Sequence, residues 1–214
     1  MNNINAVIFD LDGVLVFTDK FHYMAWKSVA DRLNIPFDEE DNNRLRGVSR
    51  AESLEIILEK YTGTPLSSED KKKLTDEKNE IYVDLLKQMT RDDVSRSVRR
   101  VLSDIRERGY KLAVGSSSKN AKFILERVEL EDMFDAISDG TNITHSKPDP
   151  EVFLKGADML DEEPSHCLVV EDAEAGIAAG NAGGMFTAAV GDAVNCHKAD
   201  YEMFSLSDLL YILR

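Results

Sequence analysis

The sequence predicts an α/β fold, with a Rossmann-like parallel sheet core and a helical cap domain inserted after the first strand. Short apolar runs alternate with longer stretches of helical periodicity, which is the pattern of a parallel sheet with crossover helices. The first two of these runs are separated by about a hundred residues, far more than one crossover connection needs. Since no strand-like run interrupts the intervening segment, we expect that segment to form a separate helical domain.

The expected strands are five short apolar runs. They cover Ala6–Phe9, 112–114, Ala136–Ser138, 168–170 and 186–190. Helical patterns lie between or after them, at 98–108, 120–130, 150–160, 173–182 and 206–213. Gly109 and Gly183 follow two of these patterns and are typical helix stop signals.

The expected domain boundaries follow from the position of the helical segment. Residues 1–17 and 92–214 are predicted to form the α/β core, and residues 18–91 the cap. Within the cap, helical periodicity covers 21–33, 50–61 and 68–88. Pro36 and Gly63 lie in the breaks between these helices.

Composition excludes several functional classes. The 214 residues include 26 Lys and Arg against 40 Asp and Glu, a formal charge of −14. This acidic excess argues against a nucleic-acid or anionic-membrane partner, because both attract clustered cations. No apolar run approaches the ~20 residues that span a bilayer, and Cys167 and Cys196 are too few for a disulfide framework. We therefore expect a monomer located in the cytoplasm.

Two aspartates follow the first strand directly, in Asp10-Leu11-Asp12-Gly13. Ligands of open α/β sheets bind at the carboxyl ends of the strands, so both acids lie where chemistry is expected. Gly13 would permit a tight backbone turn after them. The alternative is an ordinary turn, because Asp and Gly are both favoured in turns.

The second strand is followed by a serine-rich loop that leads into a helix. Ser116 comes directly after Gly115, and its hydroxyl together with the amides of the helix N-terminus would form a phosphate cradle. Ser118 is placed to cap the helix, which is compatible with a different role for Ser116.

Further charged residues lie at other strand ends. Lys147 is followed by Pro148 and Pro150, which would fix the approach to the next helix, although a lone lysine in a loop is usually solvated. Glu171 and Asp172 directly follow another apolar run. With Asp10 and Asp12 they make four carboxylates, which would repel each other and take up protons without compensation. A hard divalent cation with oxygen ligands resolves the conflict, and Mg²⁺ is the usual ion where phosphate is handled.

These motifs, in this order, resemble those of the haloacid dehalogenase superfamily. The resemblance implies that Asp10 is the nucleophile that accepts a phosphoryl group and that Asp12 is the general acid and base. It implies that Ser116 and Lys147 bind the transferring phosphoryl oxygens. It also implies one Mg²⁺ per chain, held by the Asp10 carboxylate, the Asp12 backbone carbonyl and Asp172, with Glu171 a direct or water-mediated ligand.

The helical segment more specifically resembles the β-phosphoglucomutase family, through residues 18–27, 46–50 and 78–79, and core residues 116–120 match as well. In this family Arg50 is implied to bind the non-transferring phosphate, a task that suits the planar guanidinium. The full set of implied substrate-binding residues is Thr18, His22, Trp26, Gly47, Val48, Ser49, Arg50, Lys78, Asn79, Ser117, Ser118, Lys119 and Asn120.

Several of these residues have simpler interpretations. Arg50 could be surface charge at the start of a helix, and Lys78 lies in a highly charged helix where a solvated residue is expected. His22 could be a packing residue. Trp26 could be a sugar-stacking platform, but it shares an apolar helical stripe with Phe21 and is more typical of a core position.

The resemblance implies that the chain interconverts β-D-glucose 1-phosphate and D-glucose 6-phosphate, through an aspartyl-phosphate and β-glucose 1,6-bisphosphate as primer and intermediate. Its partner would be a phosphorylated hexose. A sugar-phosphate phosphatase of the same superfamily is the main alternative. A catalytically silent metabolite-binding regulator is disfavoured, because Asp10, Asp12, Ser116, Lys147 and Asp172 are all present.

Overall fold

The structure is a computed structural model that describes residues 3–45 and 48–213. The chain divides into two compact units. One comprises Met1–Phe17 together with Thr90–Arg214, and the other comprises Thr18–Met89. We call them the sheet unit and the helical unit.

The sheet unit contains six parallel strands, which confirms the predicted fold class. They are β1 (Ala6–Phe9), β2 (Lys111–Gly115), β3 (Ala136–Ser138), β4 (Cys167–Glu171), β5 (Phe186–Ala189) and β6 (Tyr201–Glu202). Their spatial order is β3-β2-β1-β4-β5-β6. β1 therefore lies at the centre, where Ala6 pairs with Lys111 on one side and Cys167 on the other.

This register places the carboxyl ends of β1, β2 and β4 next to each other at one edge of the sheet. All four residues of β1 are fully buried, because helices cover both faces of a parallel sheet. A short run of four apolar residues is therefore sufficient to define the central strand.

The described residues of the helical unit form four α-helices. They are α1 (Asp19–Arg32), α2 (Glu39–Asn43), α3 (Arg50–Leu58) and α4 (Ser68–Leu86). α1 packs against α4, and Trp26, Val29 and Leu74 of these two helices form one core with Leu54 of α3. α3 and α4 both begin with a capping box. In each, the serine side chain accepts a hydrogen bond from the backbone N–H of an acidic residue three positions later, and the acidic side chain accepts one from the serine backbone N–H.

Five α-helices lie in the described part of the sheet unit. They are α5 (Arg96–Glu107), α6 (Ala121–Arg127), α7 (Glu151–Met159), α8 (Glu174–Ala182) and α9 (Leu209–Ile212). The prediction of a helix to residue 130 was wrong, because α6 ends at Arg127 and Glu129 has a left-handed φ of 53°. The last predicted helix starts instead as a 3₁₀ turn at Leu206–Asp208, followed by the short α9. Among the described residues, no helix is both long and apolar enough to cross a bilayer.

Candidate active site

Asp10 lies immediately beyond the carboxyl end of β1. Its backbone N–H donates to the carbonyl of Val170 at 2.9 Å, which continues the strand pairing by one residue. The side chain is buried, with 7% of the residue exposed. After it the chain turns sharply, and Gly13 donates to the carbonyl of Val16 at 2.7 Å. Gly13 has a φ of +94°, which a residue with a side chain rarely adopts.

Lys147 lies between two carboxylates. Its ammonium donates to Asp10 Oδ1 and, at 2.6 Å, to Glu171 Oε1. Its Nζ atom also lies 4.6 Å from the centre of the Phe153 ring. Only 4% of the lysine side chain is exposed, so the solvated alternative for Lys147 is wrong.

The acidic pair at the end of β4 has two different environments. Glu171 accepts a hydrogen bond from the backbone N–H of Ala173 at 2.9 Å, through Oε2. Asp172 packs against the turn after β1, where a Cβ atom on Gly13 would lie 2.0 Å from Asp172 Oδ2. The absence of a side chain at Gly13 is therefore required both by the backbone and by the position of Asp172.

These acids fit the metal that the sequence predicts. Ligand oxygens of Asp10, Glu171 and Asp172 lie within 4.8 Å of one another. Burial raises the pKa of Asp10 well above its usual value; Lys147 opposes this, and Glu171, Asp172 and Asp12 add to it. Burial also penalises the charged form of Lys147, but Asp10 and Glu171 outweigh this penalty and raise its pKa. One lysine thus leaves a carboxylate excess, and a hard divalent cation with oxygen ligands would balance it.

Asp12 is half-buried in the turn between Asp10 and Val16. Its backbone forms an isolated parallel bridge with Val16. Its carboxylate is not one of the three that lie within 4.8 Å of one another. The predicted use of its backbone carbonyl as a ligand stays a prediction.

The loop after β2 has its own set of hydrogen bonds. Ser116 is buried, and its backbone N–H donates to the carbonyl of Ser138 at 3.0 Å. Its hydroxyl oxygen accepts from the backbone N–H of Ser118 at 3.1 Å, which leaves the hydroxyl hydrogen available for an anion. Ser118 in turn accepts from the backbone N–H of Asn120 at 3.2 Å, just before α6 begins. The prediction that Ser118 caps the helix was wrong, because the N-cap residue of α6 is Asn120, which makes no side-chain capping hydrogen bond. The phosphate-binding role of Ser116 stays a prediction.

The other residues predicted in this loop differ in exposure. Lys119 is exposed and Asn120 is half-buried. Among the atoms of the described residues, the Ser117 hydroxyl oxygen is buried without a hydrogen-bond partner. The backbone of the loop thus satisfies Ser116 and Ser118 but leaves Ser117 Oγ unused.

The helical unit brings a second group of predicted residues together. Lys78 is 2% exposed, and its Nζ lies 2.9 Å from His22 Nδ1. The same ammonium lies over the rings of Tyr82, at 4.3 Å, and Trp26, at 5.2 Å. These cation–π contacts compensate a buried charge. The solvated alternative for Lys78 is therefore wrong.

His22 is held as a neutral ring. Its ring centre lies 4.2 Å from that of Tyr82. Burial lowers the pKa of His22 well below its usual value, and the positive charges of Lys78 and Arg50 lower it further. His22 is therefore suited to accept a hydrogen bond from the Lys78 ammonium.

Trp26 does not provide an open face for a sugar. It is 2% exposed and belongs to the core of the helical unit with Val29 and Leu54. The prediction that Trp26 binds substrate was therefore wrong, and its interpretation as a core residue is confirmed. Tyr82 was missed in the sequence, although its position four residues after Lys78 places both on one helix face.

Arg50 is the first residue of α3. Ser49 caps this helix by accepting from the backbone N–H of Glu52 at 3.3 Å, and Glu52 accepts from the Ser49 backbone N–H at 3.0 Å. Partial burial lowers the pKa of Arg50, which nevertheless remains a cation at any physiological pH.

For the remaining predicted residues of this unit, the structure gives the exposure or the backbone contacts. Val48 and Asn79 are half-buried, and the Thr18 carbonyl accepts from the N–H groups of Phe21 and His22 at the start of α1. Gly47 and its neighbour Arg46 lie outside the described residues.

Comparison with known proteins places these features in a family context. The chain matches the profile of the haloacid dehalogenase-like hydrolase family over residues 4–184. It is 42% identical to a β-phosphoglucomutase of Bacillus subtilis (strain 168), over 96% of this chain and 92% of that protein. It is 31% identical to a phosphorylated carbohydrates phosphatase of Thermotoga maritima, over 85% of this chain and 82% of that protein.

A solved structure agrees with these sequence matches. The crystal structure of a β-phosphoglucomutase from Clostridium difficile superimposes with a TM-score of 0.89 at 38% identity. The match covers 99% of this chain and all of that one. The similarity therefore extends through both units.

Proposed function

The chain belongs to the haloacid dehalogenase-like hydrolase family, and from this we propose that it is a phosphotransferase that interconverts β-D-glucose 1-phosphate and D-glucose 6-phosphate. Membership of this family, which the sequence motifs predict, is confirmed. The observation that carries the chemistry is the buried Lys147 ammonium held between Asp10 and Glu171. The choice of sugar rests on the 42% identity to a β-phosphoglucomutase.

Asp10 would act as the nucleophile. A carboxylate oxygen of Asp10 forms a bond to phosphorus as the bond from phosphorus to the departing sugar oxygen breaks. Asp12 supplies a proton to that departing oxygen and later removes one from the hydroxyl that attacks the aspartyl-phosphate. Lys147 counters the negative charge on Asp10, and Ser116 donates its hydroxyl hydrogen to a phosphoryl oxygen. Phosphoryl transfer depends mainly on such positioning and charge neutralisation.

A magnesium requirement follows from the family and fits the acids present. Asp10, Glu171 and Asp172 would hold one ion per chain, together with the backbone carbonyl of Asp12. When bound, Mg²⁺ would neutralise charge on the phosphoryl group during transfer. Burial, with added contributions from Glu171, Asp172 and Asp12, raises the pKa of Asp10, so a nearby divalent cation would favour the carboxylate form that attack requires.

A mutase must also bind a second phosphate. We assign this role to Arg50, whose guanidinium can contact two phosphate oxygens at once. Lys78 and Asn79 would contact the substrate from α4, with His22 fixing the position of the Lys78 ammonium. A reaction through β-glucose 1,6-bisphosphate would thus need a cation for each of the two phosphates. A monomeric, cytoplasmic enzyme stays a prediction.

A sugar-phosphate phosphatase is the second candidate, favoured by the 31% identity to the T. maritima phosphatase. It would use Asp10 and Asp12 in the same way but would pass the phosphoryl group to water. The two candidates therefore differ only in the acceptor.

One assay separates them. The protein is incubated with Mg²⁺, β-glucose 1-phosphate and a trace of β-glucose 1,6-bisphosphate, and glucose 6-phosphate and inorganic phosphate are measured in the same sample. We expect glucose 6-phosphate to form only with the primer, while inorganic phosphate stays near background. Steady release of phosphate without isomerisation would establish the phosphatase instead. The Asp10→Asn variant controls for contaminating enzymes and should be inactive in both measurements.

A further inference from the structure

Glu171 lies directly against the backbone of Gly176, in the first turn of α8. A Cβ atom built on Gly176 would lie 1.9 Å from both Cδ and Oε1 of Glu171. Such a distance is far below any real contact between non-bonded atoms. The glutamate therefore occupies the space that any side chain at position 176 would need.

The requirement for glycine at this position is steric. Gly176 lies within α8 and is buried, and alanine is intrinsically a better helix residue than glycine. Helix propensity alone would thus favour alanine. The arrangement of Glu171 opposes it, since the glutamate side chain occupies the position of the added methyl group and is itself only 1% exposed.

The carboxylate of Glu171 is fixed from three sides. Oε1 accepts from Lys147 at 2.6 Å, Oε2 accepts from the Ala173 backbone N–H at 2.9 Å, and Gly176 supports the rest of the group. Displacing Oε1 would remove one of the two acids that hold the Lys147 ammonium. That ammonium also bonds to Asp10, so a change at position 176 reaches the nucleophile through two side chains.

We propose that Gly176 is a positioning residue for the phosphoryl-transfer site, because its missing side chain lets Glu171 hold Lys147 beside Asp10. This inference rests on the proposed function for its catalytic meaning. Its steric basis can be tested without any substrate.

Gly156 provides a matched control. It is also a buried glycine within a helix of the sheet unit, in α7. A Cβ atom there would meet Ile8 at 3.4 and 3.5 Å and Ser138 at 4.0 Å, which are ordinary van der Waals contacts. Gly156→Ala should therefore show the effect of helix propensity without the clash.

The experiment compares Gly176→Ala, Gly156→Ala, Glu171→Ala and the double variant Glu171→Ala/Gly176→Ala. Thermal unfolding is measured without metal, and binding of Mg²⁺ alone is measured by calorimetry. We expect Gly176→Ala to lower the unfolding midpoint and to weaken Mg²⁺ binding about 10- to 100-fold, as changes next to metal ligands typically do. Gly156→Ala should match the wild type in Mg²⁺ affinity.

The double variant decides the mechanism. In the Glu171→Ala background the clash is absent, so adding Gly176→Ala should raise the unfolding midpoint instead of lowering it. If Gly176→Ala does not fold, recovery of folding in the double variant would support the same conclusion. Equal Mg²⁺ affinity of Gly176→Ala and Gly156→Ala, or an equal loss of stability in both backgrounds, would overturn the proposal. Neither readout depends on sugar turnover, so failure of the mutase assay would leave this result interpretable.

Discussion

Lys147 donates a hydrogen bond to Glu171 at 2.6 Å; Lys147 comes from the loop before α7 and Glu171 from the end of β4, and their side chains are 4% and 2% exposed. Another ion pair of the same length, Lys198 with Glu174, lies on the surface with more than half of each side chain exposed. The two pairs have the same charges and distance but differ in their contact with water.

This difference predicts the effect of removing each lysine. Lys147→Met leaves Asp10 and Glu171 buried without their cation, and we expect it to lower the free energy of unfolding by about 3–5 kcal/mol at pH 7. Lys198→Met should change it little, because exposed pairs are screened by water. Urea unfolding without metal measures both, and Mg²⁺ should restore part of the loss only in Lys147→Met. Equal effects of the two substitutions would contradict the buried arrangement.

Arg50 is predicted to contribute to binding of the second phosphate only. Arg50→Ala should lower kcat/KM for the mutase reaction roughly 10- to 100-fold, since a charge-assisted hydrogen bond of this kind contributes about 1.5–3 kcal/mol. Hydrolysis of acetyl phosphate, which has no second phosphate, should be nearly unchanged. Arg44→Ala removes an exposed arginine of the same unit, paired with Glu59 at 2.7 Å, and serves as control. An equal loss in both reactions would remove Arg50 from this role.

Asp12 is predicted to transfer protons, and its carboxylate does not belong to the cluster of Asp10, Glu171 and Asp172. Asp12→Asn preserves the shape of the side chain and its backbone carbonyl, so Mg²⁺ binding measured by calorimetry should persist. Turnover should fall by about 10²- to 10⁴-fold, the usual contribution of a general acid and base. If the variant kept its activity, another residue would have to carry the proton.

Glu151, the first residue of α7, is predicted to stabilise the fold by an amount that depends on pH. The Lys155 ammonium and the backbone N–H groups of His145 and Thr144 lower the pKa of Glu151 to about 2. Because the folded pKa lies below the unfolded value of about 4.3, these interactions stabilise the fold fully above that value. Their contribution is lost as the pH falls through the folded pKa.

The corresponding test compares the wild type with Glu151→Gln at several pH values. The difference in urea unfolding midpoint should be constant from pH 7 to 5 and should shrink as the pH falls toward 3. Glu126→Gln, at an exposed position of α6, corrects for the loss of one negative charge. A difference that does not change with pH would show that the carboxylate charge of Glu151 is not involved.

The sheet was largely predictable because its strands are buried on both faces. Ala6–Phe9 matches the predicted run residue for residue, since fully buried parallel strands read as continuous apolar segments. Ala136–Ser138 also matches, although β3 lies at the edge of the sheet and Ile137 is only half-buried. β6 was missed because it has only two residues, Tyr201 and Glu202. α2 was missed because Glu39–Asn43 is entirely polar and has no periodicity.

The sequence was sufficient to predict which strand ends meet at the site. It was not sufficient to predict the contacts between individual side chains. The positions of Asp10, Ser116 and Glu171 follow from parallel strands that end at one edge. The burial of Lys78 between two aromatic rings contradicts its charged helical neighbourhood, because the decisive partner Trp26 comes from another helix. The contact of Glu171 with Gly176 depends on side-chain torsion angles, which no residue spacing determines.

The central position of β1 has a consequence for synthesis of the chain. Ala6 leaves the ribosome first, yet its partners at Lys111 and Cys167 are translated much later. Residues 18–89 are contiguous and can fold locally while the nascent chain grows, since domains generally fold as units during translation. Throughout that time the apolar β1 has no neighbouring strand, and pairing between such distant residues is intrinsically slow. The segment that ends at the nucleophile therefore stays without either neighbouring strand until at least Lys111 has been translated.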